Sequence, residues 1–358
     1  MMNLKKLMVA ISEKRNKLTE KDIDLKEIKS ILLRPLGNAI GDAAVHTAHL
    51  LQLKSLFPNA IIGVVVTQQN KVIFEHSKLV DKYVHRSFFD YLYNYKKWDL
   101  LLDFENNFNS ASLFMDRVLM PKYIAIFRKY DKKHYNFNTI FNYNFHFPQK
   151  DNERLSHYLS NSFFNKNNQL LEPYSQLVTD SQADFKINSI WKENKFRLLL
   201  CPQGSKRQIP PLELGELLVD SIQPEKIGHI DIILSYTETA QNYLEQLLAY
   251  YPDLPIRLSP KTSLTEYLSL IASSSFVIAV DGGSLHLSCA FKKPLLSFFA
   301  DSQPNLGTWE PLIPPHIPHL KVLTKNNVGS NSNLTEDFNL DHAKTWLKEQ
   351  LNTFINKE

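Results

Sequence analysis

The stretch Val280-Asp281-Gly282-Gly283-Ser284-Leu285-His286-Leu287 sets two glycines, a carboxylate and an imidazole between an apolar run and a segment of helical length. Glycine lets a phosphate approach the backbone. The free N–H groups of a first helical turn, aided by the helix dipole, favour an anion there. His286, in that turn, is placed to donate a hydrogen bond to a phosphate or to its bridging oxygen. The plainer reading is a tight strand-to-helix turn with His286 as an ordinary helix residue, and glycine turns are common enough that both readings stand. A second stretch, Cys201-Pro202-Gln203-Gly204-Ser205-Lys206-Arg207-Gln208, also follows an apolar run and precedes a helix that Pro210 and Pro211 help to start. Lys206 or Arg207 would supply positive charge to a diphosphate where no metal does so. Taken alone, this stretch reads more readily as a solvated loop with two basic residues. Two anion-ready turns in one region strengthen each other. The third stretch, Gly37-Asn38-Ala39-Ile40-Gly41-Asp42, offers a carboxylate with two open roles. Asp42 is either a general base toward a hydroxyl or a first-turn acid complementing the helix dipole. The spacing is not GxGxxG and supports no dinucleotide site.

These turns need strands and helices to hold them. In the first half, Ile31 to Arg34, Ile61 to Thr67, Lys82 to His85, Leu100 to Asp103 and Tyr123 to Phe127 read as strands, and Asp42 to Phe57 as a helix. The stretch Lys129 to Gln149, rich in Asn, Tyr and Phe without a clear period, reads as surface loops. In the second half, strands at Arg197 to Cys201, Ile230 to Ser235, Ile256 to Leu258, Phe276 to Val280 and Leu295 to Phe299 alternate with helices. Those helices are Leu212 to Ile222, Thr239 to Tyr250, Ser263 to Ala272 and Ser284 to Phe291. Leu264, Tyr267, Leu268 and Ile271 share one helix face, and Ser263 with Glu266 predicts a capping box. The strands are uninterrupted apolar runs, which implies burial on both faces and hence parallel sheets between helix layers. A polar segment, Lys325 to Glu336, then leads to a last helix from Asp341 to Phe354. The expected division is a helical extension over 1–30, Rossmann-like domains over 31–175 and 176–335, and a C-terminal helix over 336–358.

A length of 358 residues, 43% hydrophobic and 22% charged, excludes a wholly disordered or collagen-like chain and suits two α/β domains. Two cysteines, Cys201 and Cys289, far apart in the chain, make neither a disulfide framework nor a Cys-built zinc site and fit a reducing compartment. A formal net charge of +4 is too mild to point to nucleic acid. No apolar run reaches the roughly 18 residues of a membrane span. The short run Leu7 to Ile11 is followed by charged residues, which is unlike a signal peptide. A cytoplasmic location is expected.

Together the three stretches resemble glycosyltransferase family 9, the ADP-heptose:lipopolysaccharide heptosyltransferases. Gly41-Asp42 followed by Thr47 matches that family's GD-x4-T signature, and Asp281, Gly283, His286 and Leu287 match its D-(S/T)-G-x-x-H-L signature. Pro260 to Leu264 is similar to the family's stretch ahead of that strand. The resemblance implies a GT-B fold, with two doubly wound Rossmann-like domains facing across a cleft. It also implies metal-independent, inverting transfer of heptose from ADP-heptose to the inner core of a lipopolysaccharide or lipooligosaccharide. No cofactor beyond that nucleotide-sugar donor is implied. By the same carry-over Asp42 is the catalytic carboxylate. Gln203, Gly204, Ser205 and Lys206 or Arg207 serve the donor diphosphate, Asp281, Gly282, Gly283, Ser284 and His286 cradle ADP, and Glu238 and Thr262 lie near ribose and adenine.

The chain departs from the family at several points. Gly282 stands where relatives carry Ser or Thr. Gln208-Ile209 separates the basic pair from Pro210 where relatives show K-x-W-P, and Ser302-Gln303-Pro304 replaces T-D-P. These changes leave open another nucleotide sugar, or a non-catalytic protein that keeps the fold. Arg128, Lys129, Lys132 and Lys133 are the candidate contacts to an anionic acceptor, with a solvated basic face as the alternative. Leu4, Leu7, Met8 and Ile11, beside Lys5, Lys6 and Lys14, form either a helix touching the inner membrane or one packed on the chain's own first domain.

Overall fold

Runs such as Ile31–Leu33 and Leu198–Leu200 bury every side chain, which only a sheet covered on both faces allows. In the computed structural model, which describes residues 23–108, 110–132, 140–166 and 169–355 with positions 7, 10, 11, 136 and 137, the chain forms two compact units, Met1–Pro173 and Tyr174–Glu358. The expected N-terminal extension lies almost wholly outside the described residues. Leu7 and Ile11 are exposed, and a 3-10 turn, Leu25–Glu27, lies just ahead of the first strand.

The first unit runs β1 (Ser30–Arg34), α1 (Ile40–Leu56), β2 (Ile61–Val66), α2 (Gln68–Ser77), β3 (Lys82–His85), α3 (Phe88–Tyr93), β4 (Leu100–Asp103), α4 (Ser110–Leu119), β5 (Tyr123–Ile126) and β6 (Phe145–His146). Its six strands are all parallel, in the order β3-β2-β1-β4-β5-β6. The second unit runs α5 (Ser181–Asn188), β7 (Phe196–Cys201), α6 (Pro211–Ser221), β8 (Ile230–Leu234), α7 (Ala240–Tyr250), β9 (Ile256–Leu258), α8 (Leu264–Ser273), β10 (Phe276–Val280), α9 (Gly283–Ala290), β11 (Leu295–Asp301), α10 (Asn305–Thr308), β12 (His319–Asn327) and α11 (Leu340–Ile355). Its sheet, also parallel, has the order β12-β11-β10-β7-β8-β9. Each chain path therefore winds outward from a central strand, returns beside it and winds out the other way. The reversal leaves a crevice at the carboxyl ends of β1 and β4 in one sheet and of β7 and β10 in the other. The capping box forms at α8: the Glu266 N–H donates to Ser263 Oγ at 3.3 Å and the Ser263 N–H to Glu266 Oε2 at 2.7 Å.

Three expectations need correction. The stretch 129–149 is not a set of surface loops, because Ile140, Tyr143 and Phe145 are buried and Phe145–His146 adds the sixth strand. The polar segment from Lys325 is at first strand: β12 continues through Asn327 as an edge, where one side faces solvent and charged residues are tolerated. Lys129 and Arg128 are not surface groups awaiting an acceptor. Lys129 is inside the first unit, its ammonium 2.8 Å from Asp103 and donating to the Glu105 carbonyl at 2.7 Å. Arg128 is 7% exposed and pairs with Asp151 at 3.0 Å. Lys132 is exposed, and Lys133 lies outside the described residues.

Lys129 is buried because two carboxylates need it. Arg34, at the end of β1, binds Asp103 at 3.2 Å across the sheet and Asp116 on α4, and the four side chains Arg34, Lys129, Asp103 and Asp116 sum to zero charge. Burial pushes the Asp103 carboxyl up, but Lys129 and Arg34 outweigh it and hold the group below the usual carboxylate range. Removing one partner would strand a charge in the core. Lys129→Met is expected to cost about 3–5 kcal/mol in denaturant unfolding, against less than about 0.5 kcal/mol for Lys132→Met.

Candidate functional site

In the second unit both glycine turns emerge at the crevice between β7 and β10. The first is a closed loop: the Gly204 N–H donates to the Arg207 carbonyl at 2.7 Å and the Ile209 N–H to the Pro202 carbonyl at 2.9 Å. This leaves Ser205 and Lys206 exposed at the tip and turns Arg207 back toward β10. The two turns touch. A Cβ on Gly204 would lie 3.3 Å from the Asp281 carbonyl oxygen, tighter than most side chains accept.

Arg207 lies at the centre of the arrangement. Its guanidinium is 3.3 Å from the Asp281 carboxylate, and it donates to the Ser332 carbonyl at 2.6 Å, to Ser332 Oγ at 2.7 Å and to Asn305 Oδ1 at 3.4 Å. Asn305 in turn donates to Asp281 at 2.9 Å. Lys206 has no such cage, and of the two candidate cations Arg207 is the one the fold holds in place. Asn305 and Ser332 went unnoticed in the sequence. They lie 98 and 125 residues from Arg207, and no local spacing marks such partners.

The first turn of α9 faces the same point. Its N-cap, Gly282, has no side chain to occupy the helix N–H groups, so they remain open to an anion. His286 is buried beside Trp309, with ring centroids 5.8 Å apart. Burial, reinforced by Arg207 and opposed by Asp281, lowers its pKa and favours the neutral imidazole. Ser284 shares a 2.6 Å hydrogen bond with the Tyr267 hydroxyl.

The rim continues along the sheet. Gln203 bonds Thr237 at 2.7 Å and Thr239 at 3.0 Å on the turn after β8. Between them Glu238 is exposed, accepting from the Tyr236 hydroxyl at 3.3 Å and pairing with Lys261 at 2.8 Å on the turn after β9. Thr262 follows Lys261. Gln203, Gly204, Arg207, Asp281 to Ser284 and His286 thus gather at the crevice, with Glu238 and Thr262 farther along the rim.

Asp42 belongs to the first unit and is described there by itself. Gly37 has φ of +74°, a left-handed turn that favours glycine, and a Cβ on it would meet Asp42 Oδ2 at 1.9 Å. At the third position of α1, Asp42 accepts the N–H of the N-cap residue Ala39 at 3.1 Å, so the capping role is real. Burial nevertheless raises its carboxyl to about 6, with the Ala39 and Asn38 N–H groups only partly opposing the shift. A carboxyl poised there is ionised at neutral pH yet still basic enough to take a proton. The turn is held from behind. The Leu36 N–H donates to His46 Nε2 at 2.8 Å, which places the His46 proton on Nδ1, facing His49 Nδ1 at 3.0 Å. His49 Nε2–H then donates to the Leu155 carbonyl at 3.1 Å. Burial, with His157 adding and the Leu155 and Ser156 contacts opposing, pushes His49 down to about 3, so the chain of bonds is neutral. Thr47, the last residue of the GD-x4-T pattern, donates to the Ala44 carbonyl at 2.7 Å within α1.

Residues 223–322 match the model of glycosyltransferase family 9 (heptosyltransferase). That match spans under a third of the chain. It contains Asp281, Gly283 and His286, and leaves Asp42 and Arg207 outside its bounds. No curated protein sequence matches the chain. Among solved structures it is similar to the Escherichia coli ADP-heptose LPS heptosyltransferase II, at 15% identity and a TM-score of 0.65, over 92% of this chain and 99% of that one. It is also similar to a family 9 glycosyl transferase of Veillonella parvula, at 9% identity and a TM-score of 0.68, over 96% and 100% of the two chains. A third likeness is to E. coli heptosyltransferase WaaC with ADP, at 16% identity and a TM-score of 0.59, over 89% and 99%. The two-sheet α/β fold is theirs, the GT-B class expected from the sequence. Among the described residues, no group of three or more His, Cys, Asp or Glu side chains is set to hold a metal ion.

Because the Asp42 carboxyl is raised when folded, it favours folding most below about pH 4 and loses that contribution as pH rises through 6. Asp42→Asn, which keeps an oxygen for the cap, is therefore expected to match the parent's unfolding midpoint near pH 4. By pH 7.5 it should exceed the parent by about 1–2 kcal/mol, allowing for solvent screening. Denaturant titrations at the two pH values check this.

Proposed function

We propose that this chain, a glycosyltransferase of the family 9 type, moves heptose from ADP-heptose to the inner core of a lipopolysaccharide or lipooligosaccharide at the cytoplasmic side of the inner membrane. The observation that carries the donor half is Arg207, caged by Asp281, Asn305 and Ser332 beside the open first turn of α9. A fixed guanidinium and unfilled helix N–H groups aimed at one point suit a diphosphate better than any neutral group. Arg207 then supplies the charge compensation that lets the reaction run without a metal, and neutral His286 donates to a phosphate oxygen. In the transfer, Asp42 takes the proton of the acceptor hydroxyl. The acceptor oxygen bonds to the anomeric carbon as the bond from that carbon to the phosphate oxygen breaks, and ADP leaves with the electron pair from the opposite face, so configuration inverts. Gly282, which lacks the hydroxyl of relatives, favours a second reading in which the donor is a different nucleotide sugar.

Thermal unfolding with ADP, UDP, GDP or CMP tests the donor half. A nucleotide at a hundred times its Kd adds about 2.7 kcal/mol, a clear shift. ADP alone should stabilise the parent. Arg207→Met and Asp281→Ala should lose the effect, Lys206→Met should largely keep it, and stabilisation by UDP or GDP instead would establish the second reading. For turnover, Asp42→Ala should lower kcat about 10²–10⁴-fold while leaving the ADP shift intact. In the parent, kcat/KM should fall below about pH 6 as Asp42 becomes protonated.

A further inference from the structure

The helix α3 is inside out. Phe88, Phe89, Leu92 and Tyr93 form one face of it at i, i+1, i+4 and i+5, and they are 45%, 79%, 51% and 75% exposed. Only Tyr91 points into the core. Phe114 of α4, 42% exposed, stacks on Phe88 with centroids 6.4 Å apart, and Tyr95 extends the patch beyond the helix end. A soluble protein seldom leaves so many adjacent large apolar groups in water, and a patch of this kind marks a surface that meets something else.

The charges around it say what. Lys97 sits over the Tyr93 ring at 3.6 Å from its centroid and Lys96 over Tyr95 at 5.2 Å, so each ammonium rides directly on the aromatic patch. The Lys96 N–H donates to the Leu119 carbonyl at 2.9 Å, which fixes this loop to the end of α4. The acid on α3, Asp90, is spent on the backbone, accepting the His85 N–H at 2.8 Å. The surface is thus aromatic and cationic with its own carboxylate turned inward. Aromatic rings that bury one face and lysines that keep their heads in water are what the boundary of an anionic bilayer accommodates. No helix among the described residues is long and apolar enough to cross a membrane.

We propose that the α3 face, Phe88, Phe89, Leu92 and Tyr93 with Lys96 and Lys97, docks the chain on an anionic lipid surface, with the aromatic rings in the headgroup layer. This goes beyond the donor reading and needs no nucleotide, so the failure of either can be read apart from the other.

The test is sedimentation of the full chain with vesicles of phosphatidylcholine alone and of phosphatidylcholine with about one-third phosphatidylglycerol. Binding is expected only to the anionic vesicles, weakening as salt rises. Phe89→Ser with Tyr93→Ser should reduce it at least tenfold, and Lys96→Gln or Lys97→Gln about fivefold each, at one positive charge apiece. Because all four side chains are exposed, the variants should keep the parent's unfolding midpoint and its nucleotide shift. Equal binding by parent and Phe89→Ser/Tyr93→Ser protein overturns the proposal, as does no binding to anionic vesicles. A parent that is dimeric by light scattering, and that the same variant renders monomeric without changing vesicle binding, also overturns it, since the face would then be covered by a second copy.

Discussion

A parallel sheet whose chain reverses direction leaves an unfilled crevice beyond the two central strands, and something must occupy it. Both units of this protein meet that constraint with an arginine and an aspartate, one from each central strand or the turn after it. In the first unit Arg34 and Asp103 are register partners across β1 and β4, 3% and 0% exposed, and Lys129 and Asp116 complete a closed neutral group. In the second unit Arg207 and Asp281 follow β7 and β10, 19% and 5% exposed, and their other partners are Asn305 and Ser332, which carry no charge. The same device is thus a plug in one sheet and an open, positively biased seat in the other. With neutral His286 and exposed Lys206 beside it, the second crevice keeps cationic charge in excess, while the first has none to offer a ligand.

What the first unit offers is the turn beside its plug. The backbone from Leu36 to Asp42 is pinned at one end by the two-histidine chain and at the other by the Ala39–Asp42 cap. Since the Leu36 N–H occupies His46 Nε2, one tautomer is selected for each ring, and neither ring can take a proton without losing a buried bond. Asp42 is left as the titrating group of that turn, with its shift arising from burial rather than from a neighbouring charge. The cap leaves the carboxyl free to titrate. The N–H bonds that make Asp42 a cap also orient its carboxylate.

The strands were legible because burial on both faces writes a continuous apolar run. Leu100–Asp103 and Phe276–Val280, buried throughout, have the bounds that those runs suggest. The capping box of α8 was legible for a similar reason, since its two partners are three residues apart. The signal fails where burial comes from afar. Lys129 looks like any loop lysine until Asp103 is brought to it, and His319–Asn327 carries too many polar groups to announce an edge strand. That the fold holds Arg207 in place was closed to sequence for the same reason, because Asn305 and Ser332 lie far from it in the chain. The exposure of the α3 face is visible only once the fold is assembled.

The glycines of the two turns separate what the backbone requires from what a ligand requires. Gly37 is imposed by the fold, since its left-handed φ and the 1.9 Å approach of Asp42 leave no room for a side chain. Gly282 is not. Its φ of 168° is extended backbone, and a Cβ there would meet the Gly204 Cα at 3.6 Å and the Val280 carbonyl at 3.8 Å, both ordinary contacts. A serine or threonine would fit, and neither packing nor torsion accounts for its absence. The missing hydroxyl therefore bears on whatever sits over the first turn of α9. What that turn presents is backbone N–H groups with Arg207, His286 and Ser284 beside them, while Glu238, Lys261 and Thr262 stand farther along the rim.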